Sequence, residues 1–121
     1  MIRVLLVDDE PDLLILLSVR FDLEEDIQVI GTASSGSEAI DLVHLLEPDL
    51  VVMDLLMPGT DGFEAIRRIR DDVPGLPIVA YSAVVTELAK RQVKRHGVPL
   101  VLKQGDSAPL IEVIRSTAGA F

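Results

Sequence analysis

Five short apolar runs alternate with five segments of helical periodicity, and this alternation constrains the fold more than any other feature of the chain. Gly, Pro, Asp or Ser bounds each run, as expected of strands, and the segments between them repeat apolar residues at three- and four-residue spacing. The order βαβαβαβαβα predicts a parallel sheet with right-handed crossovers and helices on both faces. We predict strands over residues 2–7, 27–33, 50–53, 77–81 and 99–102, and helices over residues 11–23, 37–46, 62–71, 86–95 and 108–117.

The fold class that follows is a doubly wound α/β domain with one five-stranded parallel sheet. A strand order of 2-1-3-4-5 places the first and third strands where the order reverses, and open α/β sheets bind their ligands at that point. The helix ends carry matching signals. Pro11 suits a first helical position and Gly97 a helix stop, while the expected N-caps of the second, third and fifth helices are Ser35 or Ser37, Asp61, and Asp106 or Ser107.

Length and composition limit the remaining possibilities. The chain fits a single domain over residues 1–121. Its net charge of −9 argues against direct nucleic-acid binding, which depends on clustered Lys and Arg, and the absence of cysteine excludes disulfides and thiolate metal sites. No apolar run approaches the roughly 20 residues of a membrane-spanning helix, so we expect no membrane contact. The start MIRVLLVDDE has one basic residue and a short apolar run before two aspartates, which is not typical of a secretory signal, so we expect a cytoplasmic protein.

Three carboxylates stand at the ends of two predicted strands. Asp8 and Asp9 directly follow the first strand, and Asp54 follows the third. In the predicted strand order these side chains meet in one crevice. At about 4 Å two like charges repel by about 4 kcal/mol in a surface-like dielectric, so the cluster is expected to hold protons or bind a hard divalent cation. Mg²⁺ is the predicted cofactor, because it takes carboxylate oxygens and keeps positions open for water and phosphate.

Two further polar residues follow the other strands at the same edge. Ser82 follows the fourth strand and Lys103 the fifth, and their hydroxyl and ammonium could balance the charge of a phosphoryl group on Asp54. Taken alone, Lys103 is typical of a solvated surface residue and Ser82 of a turn, and Asp8 or Asp9 could simply cap the first helix. Their joint placement at one edge favours a phosphoryl site.

The chain resembles the receiver domain of two-component response regulators over essentially its whole length. The resemblance rests on the start VLLVDDEP, on the D-x-x-M-P-x-x-D-G run over residues 54–62, and on Ser82 and Lys103. It implies the flavodoxin-like (CheY-like) fold with five helices. It also implies that the chain is not an enzyme, beyond catalysing its own phosphorylation and dephosphorylation.

The resemblance further implies a role for each site residue. Asp54 would be the phosphoacceptor, which takes a phosphoryl group from a phosphohistidine of a sensor histidine kinase. Lys103 would pair with that phosphoryl group, and Ser82 would swing towards it and so switch the conformation that controls an output. The implied Mg²⁺ ligands are Asp8, Asp9, Asp54 and the backbone carbonyl of Leu56.

Two positions depart from the common receiver pattern. Leu100 stands where many receivers have a Tyr or Phe that rotates with the hydroxyl; a leucine can repack between two rotamers but cannot offer a phenolic hydroxyl to a partner. Gln104 stands where many have proline after the lysine, and we expect a different loop, since a cis bond before a non-proline residue costs about 3 kcal/mol. Leu56 and Val84 are apolar neighbours of the site and predict slow attack by water, hence a long-lived phosphorylated state.

The resemblance also extends to partners. The tail KQGDSAPLIEVIR is similar to the ends of receivers that precede LuxR-type helix-turn-helix domains, so an output domain is expected outside this chain. A homodimer face is implied on the fourth helix, fifth strand and fifth helix. In the first helix the five consecutive apolar residues 13–17 cannot all face the sheet, and we predict that Leu14 or Ile15 stays exposed and docks on the kinase.

Three alternative functions compete with the receiver hypothesis. A phosphorylation-independent receiver-like protein-binding module stays open because of the departures at Leu100 and Gln104, although the complete set of acids, hydroxyl and lysine argues against it. A haloacid-dehalogenase-type phosphatase needs a second acid two residues after its nucleophile, where Leu56 stands. A flavodoxin-like cofactor binder needs a Gly-, Ser- or Thr-rich loop after the first strand, where the acidic DDEPD would repel phosphate.

Overall fold

The computed structural model describes residues 1–57, 62–83 and 86–118, and it confirms the predicted architecture. The strands are β1 (Ile2–Val7), β2 (Ile27–Ala33), β3 (Leu50–Met53), β4 (Ile78–Ser82) and β5 (Leu100–Leu102). The helices are α1 (Pro11–Asp22), α2 (Gly36–Leu46), α3 (Gly62–Asp72), α4 (Glu87–Arg95) and α5 (Ala108–Ala118). All strand pairs are parallel, and the sheet order is β2-β1-β3-β4-β5, as predicted.

The last two strands differ slightly from their predicted bounds. Both begin one residue after the proline that was expected to start them, because Pro77 and Pro99 have no N–H to donate to the ladder. The fourth strand also continues past Tyr81 and includes Ser82, which pairs with Leu102 of β5. Ser82 is therefore held by the sheet and does not lie in the following loop.

Both faces of the sheet are covered by helices. Successive residues of a strand point to opposite faces, so Leu5 and Val7 pack with α2, α3 and α4, whereas Val4 and Leu6 pack with α1 and α5. This double coverage explains why the central strand β3 and the last four residues of β1 are apolar and buried on both faces, without an alternating polar face. None of the helices in the described part of the chain combines the length and the hydrophobicity of a bilayer-spanning segment.

The helix ends follow the predicted signals closely. Ser35 caps α2 through its hydroxyl, and α4 begins just after Thr86, whose hydroxyl caps it, rather than at Thr86 itself. An Asp106 carboxylate oxygen accepts the first N–H of α5 at 2.6 Å. Gly97 ends α4 with a φ of +68°, a conformation that favours glycine. The predicted cap Asp61 lies outside the described residues.

Candidate functional site

The pairing of β1 with β3 brings two aspartates side by side. Val7 is opposite Met53 in the register, so the next residue of each strand, Asp8 and Asp54, leaves the sheet at the same edge. The backbone N–H of Asp8 donates to the Ala33 carbonyl and that of Asp54 to the Val7 carbonyl, each at 3.0 Å. The ladder thus continues into both residues and fixes where their side chains begin.

The three predicted carboxylates form one cluster. Asp8 is 3% exposed and Asp54 4% exposed, while Asp9 is less buried. One oxygen of each lies within 4.8 Å of the others. An Asp8 oxygen accepts the N–H of Glu10 at 3.0 Å, but Glu10 itself is the N-cap of α1 and makes no side-chain cap bond. Neither Asp8 nor Asp9 is therefore the helix cap, and their carboxylates belong to the cluster.

Lys103 reaches this cluster from β5. Its Nζ lies 2.6 Å from an Asp8 oxygen and 3.4 Å from an Asp54 oxygen. The same Nζ lies 5.8 Å from the centre of the Tyr81 ring, a contact the sequence did not predict. The backbone N–H of Lys103 donates to the carbonyl of Ser82 at 2.8 Å, and Ser82 is fully buried at the end of β4. The structure brings the predicted cation and hydroxyl residues to the predicted edge.

The surroundings of the cluster raise the pKa values of both Asp54 and Lys103, but for different reasons. Burial raises the pKa of Asp54 to about 6, and the charge of Asp8 adds to this, while the charge of Lys103 opposes it. Burial disfavours the charged form of Lys103, but its hydrogen bond to Asp8 and the charge of Asp54 outweigh this and raise its pKa. The single positive charge of Lys103 thus faces the two buried carboxylates Asp8 and Asp54, so the site carries excess negative charge.

Gly62 has a role at this site that sequence reasoning noted only as part of a motif. A Cβ at this position would lie 2.1 Å from the carbonyl oxygen of Asp54 and 2.6 Å from the Cα of Leu55. The N–H of Gly62 donates to the Leu55 carbonyl at 3.2 Å, so α3 starts directly against the backbone of the acid loop. The Asp-Gly pair at the end of the motif was the signal for this close approach.

The remaining predicted residues lie around the cluster. Leu56 is exposed, and its N–H donates to an Asp54 oxygen at 3.4 Å. Leu100 is partly buried against the core on the α2–α4 side, and Gln104 is exposed. In α1, Ile15 is 63% exposed, whereas Leu14 packs partly against the core, so Ile15 is the better candidate of the predicted pair. Val84 lies outside the described residues.

Comparison with known proteins identifies the family. A family model described as the response regulator receiver domain matches residues 4–115. The chain belongs to this family. The receiver is 35% identical over 117 residues to the response regulator protein VraR of Staphylococcus saprophyticus, and the match covers 96% of the receiver and 56% of VraR. The receiver thus spans about half the length of such curated relatives.

Solved structures show the same fold. A LuxR-family two-component response regulator from Aurantimonas sp. SI85-9A1 matches with a TM-score of 0.93 and 28% identity, over 99% of this receiver and 86% of that chain. A chain of the CheX–CheY–BeF3–Mg²⁺ complex from Borrelia burgdorferi matches with a TM-score of 0.86 and 25% identity, over 95% of this receiver and 86% of that chain. The acidic pocket of this receiver is consistent with a phosphoacceptor site, and membership of this family does not fit the phosphatase and cofactor-binder hypotheses.

Proposed function

We propose that this receiver accepts a phosphoryl group on Asp54 from the phosphohistidine of a sensor histidine kinase, in a Mg²⁺-dependent reaction, and then changes conformation to control an output. The observation that carries the proposal is the Asp54 carboxylate, which is buried beside a second acid and 3.4 Å from the Lys103 ammonium. A carboxylate in this position is a nucleophile whose surroundings can neutralise an incoming phosphate.

The donor set fits a magnesium ion. One oxygen from each of Asp8, Asp9 and Asp54 lies within 4.8 Å of the others, and carboxylate oxygens are the ligands that Mg²⁺ prefers. These three carboxylates and the backbone carbonyl of Leu56 would hold the ion. When bound, it would screen the charges of the acids and of the phosphoryl oxygens. The excess negative charge left by a single lysine supports this assignment.

The transfer step requires little movement of the protein. An oxygen of Asp54 attacks phosphorus, a P–O bond forms, and the P–N bond breaks with its electron pair going to the imidazole nitrogen. Lys103 is already within 3.4 Å of Asp54 and moves its ammonium to the new phosphoryl oxygens. Ser82 lies at the end of the neighbouring strand, and its hydroxyl supplies a further donor. Beyond this self-phosphorylation and the later hydrolysis of the aspartyl phosphate, in which water attacks phosphorus and inorganic phosphate leaves, we assign the chain no enzymatic role.

The response to phosphorylation passes through β4 and β5. Ser82 and Lys103 are joined by a backbone hydrogen bond of 2.8 Å, so a movement of one strand end is transmitted to the other. Leu100 repacks without the phenol that many receivers expose. The loop after Lys103 takes a different course from that of receivers with proline at this position, because the bond before Gln104, like every peptide bond in the described residues, is trans. The apolar Leu56 neighbouring the acceptor slows hydrolysis and gives a long-lived phosphorylated state.

The partners follow from the surfaces around the site. Ile15 on α1 offers an exposed apolar contact to the kinase, and the face of α4, β5 and α5 offers a homodimer contact. The proposed output domain lies outside this chain. The tail, which is similar to the ends of receivers that precede LuxR-type helix-turn-helix domains, and the match to a LuxR-family response regulator support an output domain of that type. Because the receiver domain has a net charge of −9, we assign any DNA contact to the output domain and not to the receiver. We place the phosphoryl transfer from the kinase in the cytoplasm.

Intact-mass measurement after incubation with Mg²⁺ and acetyl phosphate tests the proposal. The wild-type chain gains one phosphoryl group, Asp54→Asn gains none, and Asp41→Asn, which removes an exposed carboxylate of α2, labels like wild type. Peptide mapping then locates the group. Labelling of Asp54→Asn at the wild-type level overturns the acceptor assignment, and a folded wild-type chain that never labels favours the phosphorylation-independent binding module.

Magnesium binding is measured separately without a phosphodonor. Tyr81 is the single tyrosine of a chain without tryptophan, and its ring lies 5.8 Å from the Lys103 ammonium, so its fluorescence reports on the site. Titration with Mg²⁺ changes this fluorescence in wild type, and the midpoint moves to higher concentration in Asp9→Asn. An Asp9→Asn titration that matches wild type removes Asp9 from the ligand set.

A further inference from the structure

The cationic residues of the chain are concentrated on two helices. Together, α3 and α4 carry seven Lys and Arg residues and four Asp and Glu residues, a net charge of +3. The rest of the chain has four cationic and sixteen acidic residues, a net charge of −12. A basic pair of neighbouring helices on so acidic a domain indicates a surface that attracts anionic partners.

A groove with an apolar floor lies between these helices. It contains a cavity of about 350 Å³, which is lined by the apolar Phe63, Ile66 and Val93 and by Arg67 of α3 and Arg95 of α4. Ile66 and Val93 are buried, and Phe63 is half-buried. Glu64 contributes an acidic side chain to the lining, and His96 a further potential cation. The groove thus combines an apolar pocket with a predominantly basic rim.

The cations of this surface are weakly engaged within the domain. Arg67 lies 3.5 Å from Asp71 in an exposed pair of one helix. Among the described residues no carboxylate lies within 4.0 Å of Arg91, Lys94 or Arg95. Exposed pairs of this kind contribute about 0.2–1 kcal/mol, so a partner carboxylate can replace them at little cost.

The groove is held in shape by a partly buried arginine. Arg70 of α3 donates from Nε to the His96 carbonyl at 2.9 Å and from Nη1 to the Leu76 carbonyl. These bonds tie the carboxyl end of α4 to α3 and to the turn before β4. A groove fixed in this way binds a ligand without first losing the freedom of two mobile helices.

The geometry points to an acidic amphipathic helix of a partner protein as the occupant of this groove. Exposed Leu88, Gln92 and Arg95 are spaced i, i+4, i+7 along α4, and Phe63 and Arg67 are spaced i, i+4 along α3. A helix laid between these two rows places an apolar side chain on the floor and its own carboxylates against both arginines. A nucleic-acid backbone would use the rim but leave the apolar floor uncovered.

Peptide display on the unphosphorylated chain tests this proposal independently of the phosphorylation chemistry. A random library of peptides of roughly 16 residues, about four helical turns, is selected against the immobilised wild-type domain. The peptides selected are expected to be net negative, with apolar residues three and four apart. Enrichment of neutral or basic peptides, or of none, overturns the proposal.

Matched charge reversals then locate the binding site. Fluorescence anisotropy of the labelled peptides is expected to show about tenfold weaker binding to Arg67→Glu/Arg95→Glu, because two favourable exposed pairs become repulsive. The control Arg68→Glu/Lys94→Glu makes the same charge change on the same helices without altering a residue that lines the groove, and it binds within about twofold of wild type. If both double variants lose affinity equally, or both keep the wild-type affinity, the peptide does not bind in the groove and the proposal is refuted. A labelled DNA duplex that shows the peptide's pattern of loss instead assigns the surface to nucleic acid and overturns the proposal.

Discussion

The parallel strands begin at one edge of the sheet, the amino edge, and end at the other, the carboxyl edge. A cation contacts an aspartate at both edges, but the two contacts differ in solvent exposure. At the amino edge, Arg115 lies 2.8 Å from Asp26, and these side chains are 43% and 48% exposed. At the carboxyl edge, Lys103 lies 2.6 Å from Asp8, and these side chains are 13% and 4% exposed. Both are contacts between an ammonium or guanidinium group and an aspartate, so solvent exposure is the main difference between them.

The pKa shifts follow this difference. At the amino edge the hydrogen bond from Arg115 lowers the pKa of Asp26, as expected of a pair satisfied in water. At the carboxyl edge burial raises the pKa of Asp54 to about 6, although a lysine is nearby. The exposed pair fastens α5 to the start of β2, whereas the buried cluster holds an unbalanced charge at a cost in stability. Such a cost is typical of a site prepared for a ligand.

The largest expected effect comes from the packing of the carboxyl edge. Gly62→Ala should lower the free energy of unfolding by about 4 kcal/mol, because its Cβ would overlap the Asp54 carbonyl oxygen and α3 would have to move. Gly75→Ala, in the turn at the opposite edge, should change it by no more than about 0.5 kcal/mol, since a Cβ there meets nothing within 4 Å. Urea unfolding compares the two variants, and equal stabilities would contradict the close approach of α3.

A somewhat smaller effect is expected from removing the partly buried cation, Lys103. Lys103→Met should lower the free energy of unfolding at pH 7 by about 3 kcal/mol, because it leaves Asp8 and Asp54 without a counter-charge. The loss should shrink as Mg²⁺ is added, or as the pH falls through the raised pKa of Asp54, about 6, and that carboxylate is protonated. Thermal unfolding with and without Mg²⁺ measures this, and a loss that neither condition reduces would mean that the lysine acts through packing alone.

Removal of the acceptor carboxylate is expected to stabilise the fold. Because the pKa of Asp54 is raised to about 6 in the folded chain from an ordinary 3.8, its ionisation opposes folding above pH 6. Asp54→Asn should therefore raise the free energy of unfolding by about 2 kcal/mol at pH 7, and the gain should fade as the pH drops from 6 towards 4. Urea unfolding across this range tests the sign. A variant less stable than wild type at pH 7 would contradict the inferred cost.

The smallest effect is expected at the amino edge. Arg115→Ala should reduce stability slightly near neutral pH, and the difference from wild type should disappear in about 1 M salt, where exposed charges are screened. Because Asp26 has a lowered pKa, the contribution of this pair is present above pH 4 and is lost as the pH falls through the lowered value. A salt-independent loss would show that the amino edge depends on packing rather than on charge.

Much of the fold was predictable because its signals are local. The first three strands have their predicted bounds, and the helix ends at Ser35 and Gly97 follow from side-chain capping and a left-handed backbone conformation. The edge on which Asp8, Asp54 and Lys103 meet was also predictable, since a parallel sheet delivers all its carboxyl ends to one side. The inclusion of Ser82 in β4 was missed, because sequence patterns place strand ends less securely than strands.

The amino-acid sequence alone determined the order of elements, the acid-rich edge and the family, because periodicity and strand-end residues act over a few positions of the chain. Only the tertiary structure decided that Lys103 contacts Asp8 more closely than Asp54, and that Gly62 abuts the acceptor backbone. The same is true of the groove that gathers the cations of α3 and α4. These features depend on distances between residues far apart in the chain, and such distances are set by how helices pack on the sheet.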